Sequence, residues 1–176
     1  MKVPLKIIIY GKTHTGTSNL LHVLSQTDSF NKHYKKTNSV NYRKNVYENI
    51  IFNFWDLAGD PKFYNFFFNV SNIILLVYKC DDNLDSFTFI KTFYYNNSHL
   101  FINKKVILVG NKYDLYNSKK IYKVYKFCKK NKIQNFFTSC KTKYGIKSLI
   151  NFMLDDYLEK IDEIDNIKYN CCIYNK

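Results

Sequence analysis

Four short segments hold residue types whose spacing suits chemistry, and each stands directly after an apolar run. The first is Gly11-Lys12-Thr13-His14-Thr15-Gly16-Thr17-Ser18. It follows a β-rich run and opens a leucine-bearing one, the setting that a phosphate-binding loop requires. Its two glycines and final serine satisfy G-x-x-x-x-G-K-[ST], but Thr17 stands where that pattern has lysine. A nest of backbone N–H groups over Gly11, Thr15, Gly16 and Thr17 still suits phosphate, and the Ser18 hydroxyl suits Mg²⁺. What is lost is a close ammonium that would neutralise the outer phosphates. Lys12, the one lysine within the loop, could swing toward them.

The second segment is Trp55-Asp56-Leu57-Ala58-Gly59. Its carboxylate is placed to hold Mg²⁺ through water, and Gly59 permits backbone approach to a γ-phosphate. The third is Asn111-Lys112-Tyr113-Asp114. A carboxylate there accepts two hydrogen bonds from a guanine edge, which adenine cannot supply. The fourth is Thr138-Ser139-Cys140-Lys141, whose backbone N–H groups and lysine stem can close over a base.

These segments need rigid elements to hold them. Val3–Tyr10 is a continuous β-rich run and predicts a buried strand. Ser18–Gln26, with leucines at 20, 21 and 24, predicts a helix. Residues 27–39 are polar and aperiodic. Asn41–Tyr47 and Ile50–Asp56 predict two strands joined by a tight Glu48-Asn49 turn, and residues 57–71 an irregular, aromatic-rich stretch. Further strands are expected at Ile73–Tyr78, Val106–Val109 and Asn135–Thr138. Helices are expected at Asp85–Asn97, capped at Asp82 or Asp85, and at Ser118–Lys130. A closing helix over Ile146–Lys160 sets Ile146, Leu149, Ile150, Met153, Leu154 and Leu158 on one face. That order implies a mostly parallel sheet wrapped by helices, whose ligands sit at the carboxyl ends of the strands. One domain is expected over residues 1–160, with a loosely held tail at 161–176.

The 176 residues are 46% hydrophobic and 18% aromatic, which excludes the disordered and collagen-like classes. Lys+Arg number 27 against 14 Asp+Glu, for a net charge of +13 that attracts anionic partners of unspecified kind. Arg43 is the sole arginine. Lysine, asparagine, isoleucine, tyrosine and phenylalanine are used heavily throughout, so the charge reads more as compositional bias than as a selected surface. The five cysteines, Cys80, Cys128, Cys140, Cys171 and Cys172, are odd in number and contain no CxxC pair. They predict free thiols in a reducing compartment, not a disulfide framework or a zinc site. No signal peptide is expected from MKVPLKIIIYGK, and Lys2 argues against N-myristoylation. No apolar run approaches the roughly 20 residues of a membrane helix. Cys171 and Cys172 lie too far from the end for a prenylation box, and acylation there stays open.

Taken together, the loop, WDLAG, NKYD and TSCK resemble the Ras superfamily of small GTPases in order and spacing, from about Lys6 to Lys160. The resemblance implies an α/β fold: a single P-loop NTPase-type domain with a six-stranded, mostly parallel sheet, one strand antiparallel, and helices on both faces. It implies GTP/GDP and Mg²⁺ as ligands. Guanine recognition falls to Asn111, Lys112 and Asp114, with Ser139, Cys140 and Lys141 beside the base. Nucleotide contacts fall to Gly11, Thr15, Gly16, Thr17, Ser18, Thr37 and Gly59, and Mg²⁺ to Ser18, Thr37 and Asp56. Segments 31–41 and 59–70 take the places of the switches that meet effector or regulator proteins. The aromatic cluster Phe63, Tyr64, Phe66, Phe67 and Phe68 divides there between core packing and a partner patch. DNLDSFTFIK and VILVGNKYDL are similar to the Rab branch. TNSVNYRKNVYENIIFNFWDLAGDPKF is similar to the Arf-like branch, whose N-terminal helix and glycine are missing here. Rab-like is the preferred branch and Arf-like the alternative.

Three departures from the family bear on mechanism. Thr17 replaces the phosphate lysine, Thr13 and His14 fill loop positions that are usually small, and Asp60 follows WDLAG where a water-orienting glutamine is usual. All three point to slow hydrolysis, with Asp60 the catalytic candidate, and the first also to weak nucleotide binding. The expectation is a small-GTPase-like switch in vesicle traffic or signalling, cytoplasmic or on the cytosolic face of endomembranes, with slow or partner-dependent turnover. The alternative is a pseudo-GTPase acting as an interaction module. The lysine-rich stretch 119–132 leaves a peripheral membrane contact open. No RNA- or DNA-binding signature accompanies it, so no nucleic acid partner is expected.

Overall fold

The computed structural model describes residues 4–26, 40–57, 64–81, 84–116 and 121–173. Strand β1, Leu5–Gly11, is buried along its apolar run and forms the middle of the sheet. Helix α1, Thr17–Leu24, follows the glycine loop and buries Leu20, Leu21 and Leu24. Strands β2, Asn41–Tyr47, and β3, Ile50–Asp56, pair antiparallel with Tyr47 opposite Ile50. Glu48 and Asn49 both have positive φ, 46° and 66°, as a two-residue hairpin turn demands. In β3 alternate residues are buried, the period expected of a strand with one covered face.

The stretch expected to be irregular contains helix α2, Tyr64–Val70. Its exposed Asn65 and Asn69 stand one turn apart, but seven residues are fewer than the roughly 11 over which a helical period is read. Strand β4, Ile73–Lys79, is buried over its first six residues. Helix α3 covers Asp85–Asn96, and its cap position is Leu84, at φ 54° with no side-chain cap. Asp85 is therefore the first helical residue, not the cap, and Asp82 lies outside the described residues. Strand β5 spans Lys105–Asn111, helix α4 Tyr122–Asn131 and strand β6 Gln134–Phe137.

The six strands lie in the order β2-β3-β1-β4-β5-β6, all parallel to their neighbours except β2. One face of the sheet, with Ile8, Tyr10, Ile74, Leu76 and Leu108, meets Phe68 of α2, Phe87 and Ile90 of α3, and Val124 and Phe127 of α4. Helix α1 packs on β1, β2 and β3 through its leucines, and the Tyr47 hydroxyl donates to the Leu24 carbonyl. The expected α/β class and six-stranded, mostly parallel sheet are what the chain adopts.

The chain divides into two compact units, residues 1–146 and 147–176. The second is the body of helix α5, Ile146–Ile173, which runs past the expected stop at Lys160. Leu149, Ile150, Met153 and Leu154 are buried, and Lys160 bonds Asp156 at 2.8 Å one turn back. No glycine or proline interrupts 146–173, so no helix-stop signal occurs there.

Candidate nucleotide site at the carboxyl edge of the sheet

Strands β1 and β5 flank β4, so the segments leaving their carboxyl ends converge on one edge. The loop after β1 turns tightly, with the Thr15 amide and hydroxyl both donating to the Lys12 carbonyl, at 3.2 and 2.7 Å. Gly16 has φ 88°, a conformation open to glycine at little cost, and a Cβ there would lie 2.7 Å from Asn111 Nδ2. Helix α1 starts at this glycine with no side-chain cap on its first N–H groups. An uncapped helix N-terminus behind a glycine turn is a place where phosphate oxygens are welcome.

The Asn111 side chain holds the loop from across the sheet. Its amide donates to the Thr15 carbonyl at 2.9 Å and to the Gly16 carbonyl at 3.4 Å. Its oxygen accepts from the Thr138 hydroxyl and the Cys140 thiol, both at 3.4 Å. Lys112 donates to the His14 carbonyl at 2.7 Å. Asp114 is exposed, and its Oδ1 accepts from the Ser139 hydroxyl at 2.5 Å. Ser139 Oγ also accepts from the Thr142 amide at 3.2 Å. The phosphate-type loop, the NKYD turn and the TSCK loop thus form one hydrogen-bonded unit, with Lys141 exposed at its rim.

At the other end of the loop, Ser18 donates to Asp56 Oδ2 at 2.7 Å. Asp56 is fully buried, and its Oδ1 makes no hydrogen bond. Burial pushes its pKa above the ordinary value, against the pull of Ser18, Thr17 and Asn41. A hydroxyl and an orphaned carboxylate oxygen are hard donors, and they fit Mg²⁺. A raised native pKa means the fold binds this proton more tightly than the unfolded chain does. The stabilising contribution is therefore complete below the unfolded pKa, near ~4, and is lost as pH rises through the native one. Asp56→Asn, which keeps the acceptor for Ser18, is expected to raise the melting temperature of the metal-free, nucleotide-free protein at pH 7. An expected gain of about 1 kcal/mol corresponds to about 2–4 °C. Calorimetry in chelator checks this, and a lower melting temperature contradicts it.

Thr17 turns its methyl inward: a Cβ built on Gly11 would lie 3.1 Å from Thr17 Cγ2 and 2.5 Å from the Val77 carbonyl. Lys12, Thr13 and His14 are exposed. Thr37, Gly59 and Asp60, expected as a metal ligand, a phosphate contact and the catalytic candidate, lie outside the described residues, as does Phe63. Among the rest of the aromatic cluster, Phe68 is fully buried and Phe66 is 68% exposed, so core and surface roles fall to different rings.

Two features escaped the sequence reading. Lys79, at the carboxyl end of β4, pairs with Asp81 at 2.8 Å. Burial and then this neighbouring charge lower the pKa of Lys112. Tyr113 stacks on Tyr144, with centroids 5.1 Å apart and planes 18° apart, and on Tyr116 at 5.0 Å. With the Tyr113 amide bonded to the Thr138 carbonyl at 3.0 Å, these rings clamp the NKYD turn to the TSCK loop. The aromatics within and after the two motifs were the available signal. The thiols of Cys80, Cys128 and Cys140 are free and buried. Burial pushes them up to about 12, 11 and 12, so they stay protonated at neutral pH. No group of three or more metal-ligating His, Cys, Asp or Glu occurs among the described residues.

An open-ended glycine loop, a serine bonded to a buried aspartate and an exposed carboxylate after β5, on this strand order, define a guanine-nucleotide-type P-loop fold. Residues 6–159 match the Ras family, and the chain belongs to that family. It is also 28% identical over 172 residues to the Ras-related protein RABE1d of Arabidopsis thaliana, a match covering 92% of this chain and 79% of that protein. Of the two branches expected from sequence, the Rab-like one is supported by this likeness. Small GTPases of the Ras family bind GTP or GDP with Mg²⁺ and meet effector or regulator proteins.

Proposed function

We propose that this chain is a guanine-nucleotide switch working in vesicle traffic or signalling, with hydrolysis slow or dependent on a partner. The observation that carries the reading is Asn111, which ties the phosphate-type loop to the base-side loops while Asp114 stays exposed. Gly11, Thr15, Gly16, Thr17 and Ser18 meet the phosphates, and Thr37 and Gly59 are the further nucleotide contacts. Asp114 and Lys112 recognise guanine beside Ser139, Cys140 and Lys141. Ser18, Asp56 and Thr37 hold Mg²⁺. Asp60 orients water less well than an amide, because an ionised carboxylate only accepts hydrogen bonds and repels phosphate oxygens. Arg43, the sole arginine, is exposed on the edge strand β2, so a partner supplies the arginine that speeds turnover.

The nucleotide-binding domain spans residues 1–160, and its effectors read segments 31–41 and 59–70. A connected row of rings supports that surface: Tyr42, 50% exposed, lies 5.6 Å from Trp55, which lies 6.4 Å from Phe67, itself 5.4 Å from the exposed Phe66. The protein acts in the cytoplasm or on the cytosolic face of endomembranes. No helix among the described residues is long and apolar enough to cross a membrane.

A second reading, a pseudo-GTPase that serves as an interaction module, is favoured by Thr17, whose short side chain offers no ammonium to the outer phosphates. Titration with a fluorescent guanine nucleotide, with and without Mg²⁺, separates the two. Submicromolar, Mg²⁺-dependent binding excludes the purely structural role, and no saturation by about 1 mM excludes the switch.

A further inference from the structure

Residues 115–154 contain ten lysines and no Asp or Glu, so they carry ten of the chain's thirteen net positive charges. A uniform compositional bias does not put them there, because the remaining 136 residues balance 17 basic against 14 acidic side chains. Within it, helix α4 and the loop after β6 hold six of these lysines at exposed positions, Lys123, Lys126, Lys129, Lys130, Lys141 and Lys143. Helix α4 buries Val124, Phe127 and Cys128, and exposes Tyr122, Lys123, Tyr125, Lys126, Lys129 and Lys130. Its outer face is thus lysine and tyrosine alone. Tyr122, Tyr125 and Tyr144 are 60%, 54% and 56% exposed. The tyrosines continue without a break: Tyr125 meets Phe137 at 6.3 Å, and Phe137 meets Tyr113 at 5.1 Å within the Tyr116–Tyr113–Tyr144 stack. Lys141 and Lys143 stand exposed beside that stack.

We propose that this face, built from α4 and the loop after β6, docks on an anionic lipid bilayer. The charge requires an anionic partner, and the residue types select which one. Lysine, which supplies all of the charge on this face, is depleted in dry protein interfaces. Lysine is a hydrated point charge suited to the diffuse field of acidic headgroups. Tyrosine, with an apolar ring and a polar tip, suits the headgroup level. A single-stranded nucleic acid needs free ring faces for base stacking, and the Tyr113 ring is already stacked on Tyr116 and Tyr144. The proposal is independent of whether nucleotide binds.

Co-sedimentation of the full chain with vesicles tests it. The chain is expected to bind phosphatidylcholine vesicles containing about 30% phosphatidylserine, to ignore pure phosphatidylcholine, and to be released by about 0.5 M salt. Lys126→Glu/Lys129→Glu is expected to weaken binding at least about tenfold. Lys44→Glu/Lys91→Glu makes the same charge change on exposed positions of β2 and α3 and is expected to weaken it less than about threefold. Tyr122→Ser/Tyr125→Ser is expected to weaken it about threefold while leaving its salt dependence intact. The proposal is overturned if acidic vesicles are not bound, if the two lysine pairs lose binding equally, or if single-stranded oligonucleotides are captured and vesicles are not.

Discussion

Thr17→Lys tightens binding of guanine nucleotide at least about tenfold, and GTP gains more than GDP. The loop around position 17 is otherwise complete: Gly11 and Gly16 hold their close approaches, and α1 begins without a side-chain cap. What the loop lacks is a mobile ammonium. A charge-assisted hydrogen bond to phosphate contributes about 1.5–3 kcal/mol, which spans roughly tenfold to a hundredfold in affinity. The outermost phosphate carries the most charge, so the triphosphate benefits most. The Thr17 side chain is half-buried and packs close to Gly11 at the start of α1. Titration of the variant and the parent side by side checks this. Equal affinities would mean that position 17 does not face the phosphates.

Asp114→Asn lowers affinity for guanine nucleotides about a hundredfold and raises it for xanthine nucleotides. The carboxylate accepts from two adjacent donors on the guanine edge, N1–H and the exocyclic amine. An asparagine amide offers one acceptor and one donor, which matches the N1–H and O2 of xanthine instead. Because Asp114 is exposed and its Oδ1 only accepts from Ser139, the amide oxygen can keep that bond and the fold is expected to survive. A change in base preference without a change in melting temperature is a result that a merely structural role for Asp114 does not give. Displacement assays with GDP and XDP measure it, and unchanged preference contradicts the assignment.

Much of the scaffold was legible because local and global preferences agree. The β2–β3 hairpin was read to the residue: β3 alternates buried and open positions, and Glu48-Asn49 supplies two positive-φ residues. Helix α2 was missed because Tyr64–Val70 is only seven residues long, too short for its Asn65–Asn69 polar side to register as a period. The cap of α3 was misplaced because an aspartate near a helix start reads as a cap, whereas the chain turns through Leu84 at φ 54°. In the site, the motifs announced which residues sit at strand ends. Their mutual bonds were not legible, because the Asn111–Thr15 and Lys112–His14 contacts join residues 96 and 98 positions apart. Only the sheet order, which sets β1 and β5 on either side of β4, brings those ends together. The orphaned Asp56 oxygen and the Tyr113 stack likewise depend on burial and approach that no spacing encodes.

A pocket closed by Asp114 and Lys112 distinguishes guanine from adenine. Isothermal titration of the purified chain with GDP and with ADP, each with Mg²⁺, measures that directly. Saturable binding of GDP, with ADP weaker by at least about a hundredfold, is the predicted result, and equal affinities, or no binding of GDP by about 1 mM, would contradict it.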